Sequence, residues 1–353
     1  MASFHKLKIS AVEKETPEAV SVSFDVPKEL RSEYMFLPGQ YLTLESSINN
    51  EKIRRDYSIS STPSSGNLTV TIKKVRNGIF SSYANDSLQK GNLINVSLPR
   101  GRFVFDCTSQ SPKIIFAFAA GSGITPIMSI IKTALENSPE TYCRLIYGNK
   151  SPNTTIFLND LQRLKQLHRN RFDIQFVYSE AKEANSLSGR IDAEKTASFL
   201  QNFSYEQKLL SSYYLCGPEK MISNVKNELL KSNIKEEKIL FELFSSESSL
   251  ETKTNLNSTN SLCEATIKFE DSIEKIEIQR DQTILDAALT KDIEVPYSCK
   301  GGVCSNCICR IKEGSAEMRQ NSVLTENEIE EGLVLSCQAV PTTPNLLIDF
   351  DDI

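Results

Sequence analysis

The chain has 353 residues, 39% of them hydrophobic and 24% charged, and its formal net charge of −5 comes without the basic stripe that nucleic-acid binding would require. Its length predicts two or three domains. No apolar run reaches the roughly 18 residues that a membrane span needs, and the first ten residues lack the apolar stretch of a signal peptide. Nine unevenly spread cysteines do not form a secreted disulfide framework, so we expect a cytoplasmic protein that binds neither nucleic acid nor membranes.

Residues 1–106 contain short β-like runs such as AVSVSFDV and LTVTIKKV, separated by turn residues that include Pro38-Gly39 and Gly101. Runs of this length with turn signals between them are typical of antiparallel strands. This part of the chain is therefore predicted to be a small antiparallel β-barrel or sandwich.

Two short sequences in this first domain suit a bound flavin. In RRDYSIS, Arg55 can hold phosphates, Tyr57 can stack on a flat ring, and Ser58 can bond the ring's polar edge. Further on, Gly78 precedes Ser81 at the start of a short helix that we expect to close at Lys90-Gly91. A helix N-terminus of this kind suits a pyrophosphate. Each sequence alone is weak, because Arg55, Tyr57 and Ser58 could be surface residues and Ser81 could be only a helix cap.

Residues 107–244 alternate between strand-like and helix-like segments. KIIFAFAA, CRLIYG, FDIQFVYS and SYYLCG read as strands, while GSGITPIMSIIKTALEN, IFLNDLQRLKQLH and PEKMISNVKNELLKS read as helices. Such alternation predicts a parallel sheet in an α/β domain.

Glycine turns follow two of these strands. In AAGSGITPIMSI we expect Thr125 to cap the helix and Pro126 to take its first position. The spacing is neither the Rossmann fingerprint nor a P-loop. A second turn, Gly217-Pro218, follows the strand that ends at Cys216. Turns at the carboxyl ends of strands mark ligand sites in open α/β sheets, although each could be ordinary turn chemistry.

Residues 245–262 are rich in Ser, Thr and Asn and predict a linker. After it, ATIKFEDSIEKIEIQ reads as a hairpin, TILDAALTKD as a short helix capped by Thr283 with Asp286, and NLLIDFDD as a final strand. Residues 263–353 hold 18 acidic and 8 basic residues, so this small α+β domain is expected to dock electrostatically within the chain or on a partner.

The last domain carries four cysteines at metal-ligand spacing. Cys299, Cys304 and Cys307 follow the pattern C-x4-C-x2-C, and Cys337 comes after 29 further residues, which is the plant-type [2Fe–2S] pattern. A structural zinc site is the alternative, but zinc sites usually show two short cysteine pairs. Gly301 and Gly302 are expected to let the loop take unusual dihedral angles and aim N–H groups at the sulfurs.

The other cysteines, which are Cys309, Cys107, Cys143 and Cys263, are expected to be buried packing thiols. The only histidines, His5 and His168, are too few and too isolated for a Rieske cluster or a carboxylate di-iron site, so the chain is not expected to be an oxygenase itself.

The order of these sequences resembles the ferredoxin–NADP reductase superfamily, fused at the C-terminus to a plant-type ferredoxin domain. RRDYSI, AAGSGITPIMSII, LCGP, FEL, PYSCKGGVCSNC and LSCQA all match oxygenase reductase components, and most of all the reductase subunits of phenylacetyl-CoA epoxidases. The resemblance spans essentially the whole chain. It implies a β-barrel flavin domain, a parallel-sheet NAD(P)-binding domain and a β-grasp [2Fe–2S] domain.

The resemblance also implies which group each residue would hold. The flavin, FAD rather than FMN, would be held by Arg55, Tyr57, Ser58, Gly78 and Ser81, with Phe244 and Glu242 beside it at the end of the reductase module. The nicotinamide nucleotide would be positioned by Gly121, Gly123, Thr125, Cys216, Gly217 and Pro218, and Cys216 and Glu242 would lie near the reacting atoms. Lys150 and Arg190 are candidates to read the adenosine phosphate, which favours NADPH over NADH, although a lysine lacks the arginine fork.

The implied activity passes electrons from NAD(P)H through FAD and a [2Fe–2S] cluster to a separate di-iron oxygenase, with phenylacetyl-CoA epoxidase and phenylacetate catabolism as the specific expectation. The alternatives are a reductase for another oxygenase, a steroid hydroxylase or a desaturase, and a non-enzymatic ferredoxin-like carrier. For Cys216 and Glu242, simple packing is the alternative role.

Overall fold

The computed structural model describes residues 4–106, 114–201, 203–244, 262–270, 272–279 and 281–353. These residues form two compact units, a larger one that ends at Phe244 and a smaller one that starts at Leu262. The predicted linker, 245–262, lies outside the described residues except for Leu262, as does Cys107. The domain boundaries inferred from the sequence stay a prediction.

The first part of the larger unit is a six-stranded antiparallel barrel. Its elements are β1 (Phe4–Thr16), β2 (Ala19–Asp25), β3 (Tyr41–Ile48), β4 (Glu51–Ser58), β5 (Leu68–Lys73), α1 (Ile79–Asp86) and β6 (Leu93–Ser97). The strand order is β4-β3-β6-β1-β2-β5. The sheet closes where Ile59, just past β4, bridges Val70 of β5, and where the Ser60 N–H donates to the Thr69 carbonyl at 2.9 Å. The predicted antiparallel barrel is confirmed.

The second part of the larger unit is a parallel sheet with helices on both faces. Its elements are β7 (Ile114–Ala120), α2 (Ile124–Asn137), β8 (Tyr142–Asn149), α3 (Leu158–Leu167), β9 (Phe172–Tyr178), β10 (Ser186–Ser188), α4 (Ala193–Leu200), α5 (Tyr205–Leu209), β11 (Ser211–Gly217), α6 (Glu219–Lys231) and β12 (Ile239–Leu243). The order is β10-β9-β8-β7-β11-β12, and every pair is parallel. Along β7, Ile115 and Ala117 pack into one core, while Phe116 and Phe118 pack into the core on the opposite face. The predicted α/β domain is confirmed.

The barrel and the parallel sheet share an interior. Phe103 and Phe105, which follow the last barrel strand, are buried within the core of the parallel-sheet domain. The ring of Phe103 meets the ring of Tyr214 edge to face, with centroids 5.4 Å apart, and the Tyr214 hydroxyl donates to the Val104 carbonyl at 3.2 Å. This packing fixes β11, and so its carboxyl end, against the barrel.

The smaller unit is an α+β fold, as predicted. Its elements are β13 (Cys263–Phe269), β14 (Ser272–Ile278), α7 (Ile284–Thr290), β15 (Ile308–Glu313), β16 (Ala316–Met318), α8 (Glu326–Glu330), β17 (Leu333–Leu335), β18 (Ala339–Pro341) and β19 (Asn345–Asp349). The main sheet has the order β14-β13-β19-β15-β17, and β16 pairs with β18. The predicted hairpin of β13 and β14 is present, and Thr283 caps α7 by accepting the Asp286 N–H at 3.1 Å. Among the described helices, none is long and apolar enough to cross a membrane.

Candidate functional site

Two neighbouring arginines on β4 have different surroundings. Arg54 is buried, its Nε donates to Glu45 Oε2 at 2.6 Å, and its guanidinium lies 4.8 Å from the centre of the Phe4 ring. Arg55 is exposed, and its Nη1 donates to the Arg54 carbonyl at 2.6 Å. Arg54 therefore stabilises the barrel through its buried contacts. Arg55 presents its charge to solvent, where it can bind a phosphate.

Tyr57 of β4 packs against α1. Its ring lies 5.6 Å from the ring of Phe80 at an angle of 38°, and the side chain keeps part of its surface exposed. Burial raises the pKa of the Tyr57 hydroxyl above its usual value, so the ring stays neutral. A fixed, neutral and partly exposed ring is suited to stacking on a flat heterocycle.

The Gly78–Ser81 turn is built around the Ser81 hydroxyl. This hydroxyl accepts the Val75 N–H at 3.2 Å and donates to the Gly78 carbonyl at 3.3 Å. A Cβ on Gly78 would lie 2.4 Å from both Ser81 Oγ and Val75 Cγ2, so a larger residue here would displace these side chains. Gly78 is the N-cap of α1, and Ser81 is not. The first N–H groups of α1 have no partner within the helix, so they, and not the Ser81 hydroxyl, are suited to bind an anion.

The helix α1 ends at Asp86, and the expected end near Lys90-Gly91 is wrong. Gly91 has φ +94°, but its N–H donates to the Ile9 carbonyl at 2.8 Å, so the glycine serves the turn beside β1 instead of the helix end.

The glycine turn after β7 is held by one side chain from the sheet and one from helix α2. Gly121 has φ +55°, and its carbonyl accepts the Tyr147 hydroxyl at 2.9 Å. The predicted cap of α2 is wrong: a 3-10 turn over Gly121–Gly123 starts the helix earlier, and Gly123 is the N-cap. Thr125 is buried and its hydroxyl donates to the Ser122 carbonyl at 3.1 Å, so Thr125 shapes the turn from inside.

The two glycine turns touch each other. A Cβ on Gly123 would overlap the carbonyl of Cys216, at the end of β11, so the two turns approach to backbone contact. The Gly217 carbonyl accepts the Phe244 N–H at 3.0 Å, and the exposed Pro218 caps α6. Since β7 pairs with β8 on one side and with β11 on the other, this contact lies where the strand order reverses. Ligands of open parallel sheets bind in the crevice at that point.

Ser58, Cys216 and Glu242 meet where the barrel adjoins the parallel sheet. Cys216 on β11 is paired with Glu242 on β12, and the Ser58 hydroxyl donates to Glu242 Oε2 at 3.3 Å. Burial, and then the negative charge of Asp56, raise the pKa of Glu242 to about 8. Burial and the Glu242 charge raise the pKa of the Cys216 thiol well above its usual value. At neutral pH this contact therefore holds a protonated carboxyl and a neutral thiol.

Lys150 and Arg190 lie at the same edge of the sheet, after β8 and β10. Both side chains are exposed, and Lys150 Nζ lies 3.4 Å from Glu180 Oε1. The structure thus places Lys150 beside a carboxylate, which the motifs in the sequence did not indicate.

Lys73, the last residue of β5, is a candidate that sequence reasoning missed. Its Nζ would lie 3.5 Å from a Cβ on Gly121. Burial lowers the pKa of the Lys73 amine; the Glu18 charge raises this pKa and the Lys150 charge lowers it further. An amine beside the first glycine turn adds positive charge where the nicotinamide nucleotide is expected. The run TIKKV contained two lysines, and nothing in the sequence distinguished Lys73 from Lys74.

The four predicted cluster ligands come together in the smaller unit. The Cys299 thiol is in hydrogen-bond contact with Cys304 and Cys337, and Cys307 is in contact with Cys337; these contacts lower the pKa of Cys299 and Cys307 and raise that of Cys337. Among the described residues no group of three or more His, Cys, Asp or Glu side chains surrounds a single-ion position. These contacts bring all four thiols to one place, as a two-iron cluster that needs two thiolates for each iron requires.

The loop backbone supports the sulfurs. The Gly301 N–H donates to Cys299 Sγ at 3.3 Å, and the Val303 N–H also bonds this thiol. Gly302 has the unusual dihedral angle that was expected, with φ +70°, but the other residue of the loop with positive φ is Lys300, at +54°. For Gly301 the expected N–H bond to a sulfur is present, and the expected unusual dihedral angle is not. The buried Ser336 side chain lies next to Cys307, and this contact contributes to lowering the pKa of that thiol.

Two residues near the cluster ligands have other roles. Gln338, also missed from the sequence, donates to the Lys300 carbonyl at 3.0 Å and lies 3.8 Å from Cys337 Sγ, so it joins the two parts of the site. Cys309 is fully buried in the core, where burial raises its pKa well above the usual value. Cys143 and Cys263 are buried as well.

Three family models match successive parts of the chain. They are described as the oxidoreductase FAD-binding domain (residues 6–105), the oxidoreductase NAD-binding domain (118–227) and the 2Fe-2S iron-sulfur cluster binding domain (267–342). The chain is 36% identical to a subunit of the 1,2-phenylacetyl-CoA epoxidase of Escherichia coli (strain K12), across 99% of both chains. It is 32% identical to the ferredoxin reductase component of 3-ketosteroid-9-alpha-monooxygenase of Rhodococcus rhodochrous, across 98% of this chain and 96% of that one.

The chain belongs to the reductase components of oxygenase systems, with FAD-binding, NAD-binding and [2Fe–2S] domains. The members of this reductase family are oxidoreductases, so the non-enzymatic carrier is not supported. Phthalate dioxygenase reductase has the same fold, with a TM-score of 0.61 and 23% identity over 98% of both chains. The roles of the individual site residues stay predictions.

Proposed function

We propose that this reductase takes electrons from NAD(P)H and passes them to a separate di-iron oxygenase that acts on a CoA thioester of an aromatic acid. The full-length identity of 36% to a component of phenylacetyl-CoA epoxidase supports this choice of partner. The observation that carries the electron path is the contact of Ser58 with Glu242 beside Cys216, because it joins the flavin edge of the barrel to the nucleotide crevice.

The residues present fit the three groups. The exposed Arg55, the half-buried Tyr57 ring, Ser58 and the Gly78–Ser81 turn would hold FAD. Gly121, Gly123 and the Cys216–Pro218 turn would hold the pyrophosphate and nicotinamide, with the amine of Lys73 close by. The four thiols would hold the two irons. When bound, the flavin converts the electron pair of NAD(P)H into single electrons that a [2Fe–2S] cluster can carry.

The chain's own groups would position these cofactors. A protonated Glu242 beside Ser58 places a neutral hydrogen-bonding pair at the flavin edge, so Glu242 itself adds no negative charge that would oppose the arriving nucleotide. Thr125 and Tyr147 keep the first glycine turn in shape from inside. Phe244, tied to Gly217, would cover the end of the nucleotide crevice.

The test is reconstitution with purified components. The chain should purify yellow, reduce ferricyanide with NAD(P)H, and support epoxidation of phenylacetyl-CoA when mixed with the oxygenase components of that system. A second candidate, a steroid hydroxylase, is favoured by the 32% identity to the ketosteroid monooxygenase reductase, and the same mixture with that oxygenase tests it. Protein without flavin that cannot reduce ferricyanide would contradict the reductase function altogether.

A further inference from the structure

The ion pair of Lys150 and Glu180 is built by two adjacent parallel strands. The Ser179 N–H donates to the Asn149 carbonyl at 3.0 Å, and the Glu180 N–H donates to the Lys150 carbonyl at 2.9 Å. These two bonds continue the pairing of β8 and β9 past the ends of both strands. The backbone therefore holds Lys150 and Glu180 side by side, and their charged ends, Nζ and Oε1, lie 3.4 Å apart.

The position of this pair relative to the nucleotide crevice follows from the strand order. The nicotinamide must reach the flavin edge, which Ser58 places next to Glu242 on β12. In the order β10-β9-β8-β7-β11-β12, β12 lies at one edge, and β8 and β9 lie on the opposite side of the glycine turn after β7. A dinucleotide that spans the crevice therefore carries its adenosine end toward the carboxyl ends of β8 and β9, where Lys150 and Glu180 lie.

NADH and NADPH differ only at this end, since NADPH carries a phosphate on the 2′-oxygen of the adenosine ribose. A carboxylate in α/β dinucleotide sites accepts a hydrogen bond from the ribose 2′-hydroxyl, whereas a cation accommodates the 2′-phosphate. The side chains of Lys150 and Glu180 are 65% and 62% exposed, so both are accessible to a ligand. Because the carboxylate compensates the lysine charge, the pair offers a 2′-phosphate little attraction and a direct repulsion from Glu180.

We propose that Glu180, paired with Lys150, makes NADH the preferred coenzyme of this reductase. Glu180 would accept a hydrogen bond from the ribose 2′-hydroxyl. Its ion pair with Lys150 would also keep the lysine from binding a 2′-phosphate. This inference rests on the proposed function, and it reverses the preference for NADPH that Lys150 alone suggested.

The test compares kcat/KM for NADPH and NADH in the full-length, flavin-loaded protein, with ferricyanide as acceptor. In Glu180→Gln the NADPH to NADH ratio should rise about tenfold, and Lys150→Ala added to this variant should remove the gain. Glu183→Gln is the matched control, because Glu183 is an exposed residue on the same loop whose backbone carbonyl, not its carboxylate, accepts the Ser186 hydroxyl at 2.9 Å. Titration with NADP⁺ and NAD⁺ should show the same shift in affinity, independently of turnover.

A wild-type preference for NADPH, or a ratio in Glu180→Gln that stays within twofold of wild type, would overturn the proposal. So would an equal shift in Glu183→Gln, since the effect would then come from general surface charge. If neither coenzyme is oxidised by flavin-loaded protein, the proposed function itself fails, and this result is distinct from an unchanged ratio.

Discussion

At the scale of single residues, side chains that look alike in the sequence are separated by their surroundings. Cys299 and Cys304 are half-buried, Cys307 and Cys337 are buried at the same site, and Cys309 lies in the core two residues from Cys307. Strand alternation along β15 indicated the position of Cys309, because neighbouring residues of a strand face opposite sides. The contacts among the other four thiols required the folded chain, since Cys337 comes from a different loop.

Serine variants of these cysteines test the ligand assignment. Cys337→Ser should remove most of the bound iron and the visible absorbance of the cluster, because serine is a poor ligand for this type of site. Cys309→Ser should keep both and lower the free energy of unfolding by about 1–3 kcal/mol, because it buries a hydroxyl in an apolar core. Iron content, absorbance and denaturant unfolding measure these effects. Loss of the cluster in Cys309→Ser, with retention in Cys337→Ser, would reverse the assignment.

The raised pKa of Glu242 predicts a pH-dependent stability. Between the usual glutamate pKa of 4.5 and the folded value of about 8, the folded protein binds a proton that the unfolded chain has lost. Stability therefore falls as pH rises through this range. Glu242→Gln should stabilise the flavin-free protein at pH 8.5 by about 1–2 kcal/mol, with little effect at pH 4.5.

Thermal unfolding at both pH values measures this difference, and Glu51→Gln, an exposed carboxyl on the same unit, serves as control. An equal stabilisation of Glu242→Gln at both pH values would show that lost ionisation is not its cause.

At the scale of elements, tertiary contacts decided most of the differences from the sequence-based expectations. Helix α2 starts at Ile124, and its N-cap, Gly123, lies against the carbonyl of Cys216, a residue far away in the sequence. Strand β10 has only three residues and pairs only with β9. Three residues are too few to show the alternation of polar and apolar side chains by which a strand is recognised in a sequence. Helices α4 and α5 were not predicted, although their caps are local features: Asp192 caps α4, and Ser204 with Gln207 forms a capping box for α5.

The adjacent glycines of the cysteine loop provide a matched pair of variants. Gly302 has φ +70°, and a Cβ there would lie 2.9 Å from the Gln320 carbonyl oxygen. Gly301 lies outside the positive-φ region, and a Cβ there would come no closer than 3.8 Å to Cys299 O. Gly302→Ala should destabilise the smaller unit by about 1–3 kcal/mol and lower its iron content, whereas Gly301→Ala should retain near wild-type values.

Iron content per chain and thermal unfolding measure the two variants in parallel. Equal losses in both would indicate that loop flexibility matters more than the backbone conformation at Gly302.

At the scale of the whole molecule, each compact unit has its own core and its own candidate site. The class of each domain could be predicted from the sequence, because strand and helix periodicity and the cysteine spacing are local features. The contact between Ser58 and Glu242 could not, since it joins residues 184 positions apart.

The separation into two units predicts that the activities can be separated. A chain of residues 1–244 should keep its flavin and reduce ferricyanide with NAD(P)H at a rate within about threefold of the full chain, because the larger unit has complete cores. It should support less than a tenth of the epoxidation, since it lacks the four thiols. The full chain with Cys337→Ser is the matched control and should behave alike. Epoxidation at the full rate by the truncated chain would show that the cluster is dispensable.

Phe103 and Phe105 belong to the barrel in the order of the chain, but they belong to the parallel-sheet domain by their packing. Engineers who exchange nucleotide domains between such reductases to change the coenzyme would naturally cut between the two sequence domains. In this protein a cut after Asp106 would leave the incoming domain without two aromatic side chains of its own interior. A hybrid joined before Phe103 would transfer the interior intact, so the junction, as much as the donor, determines whether the chimera folds.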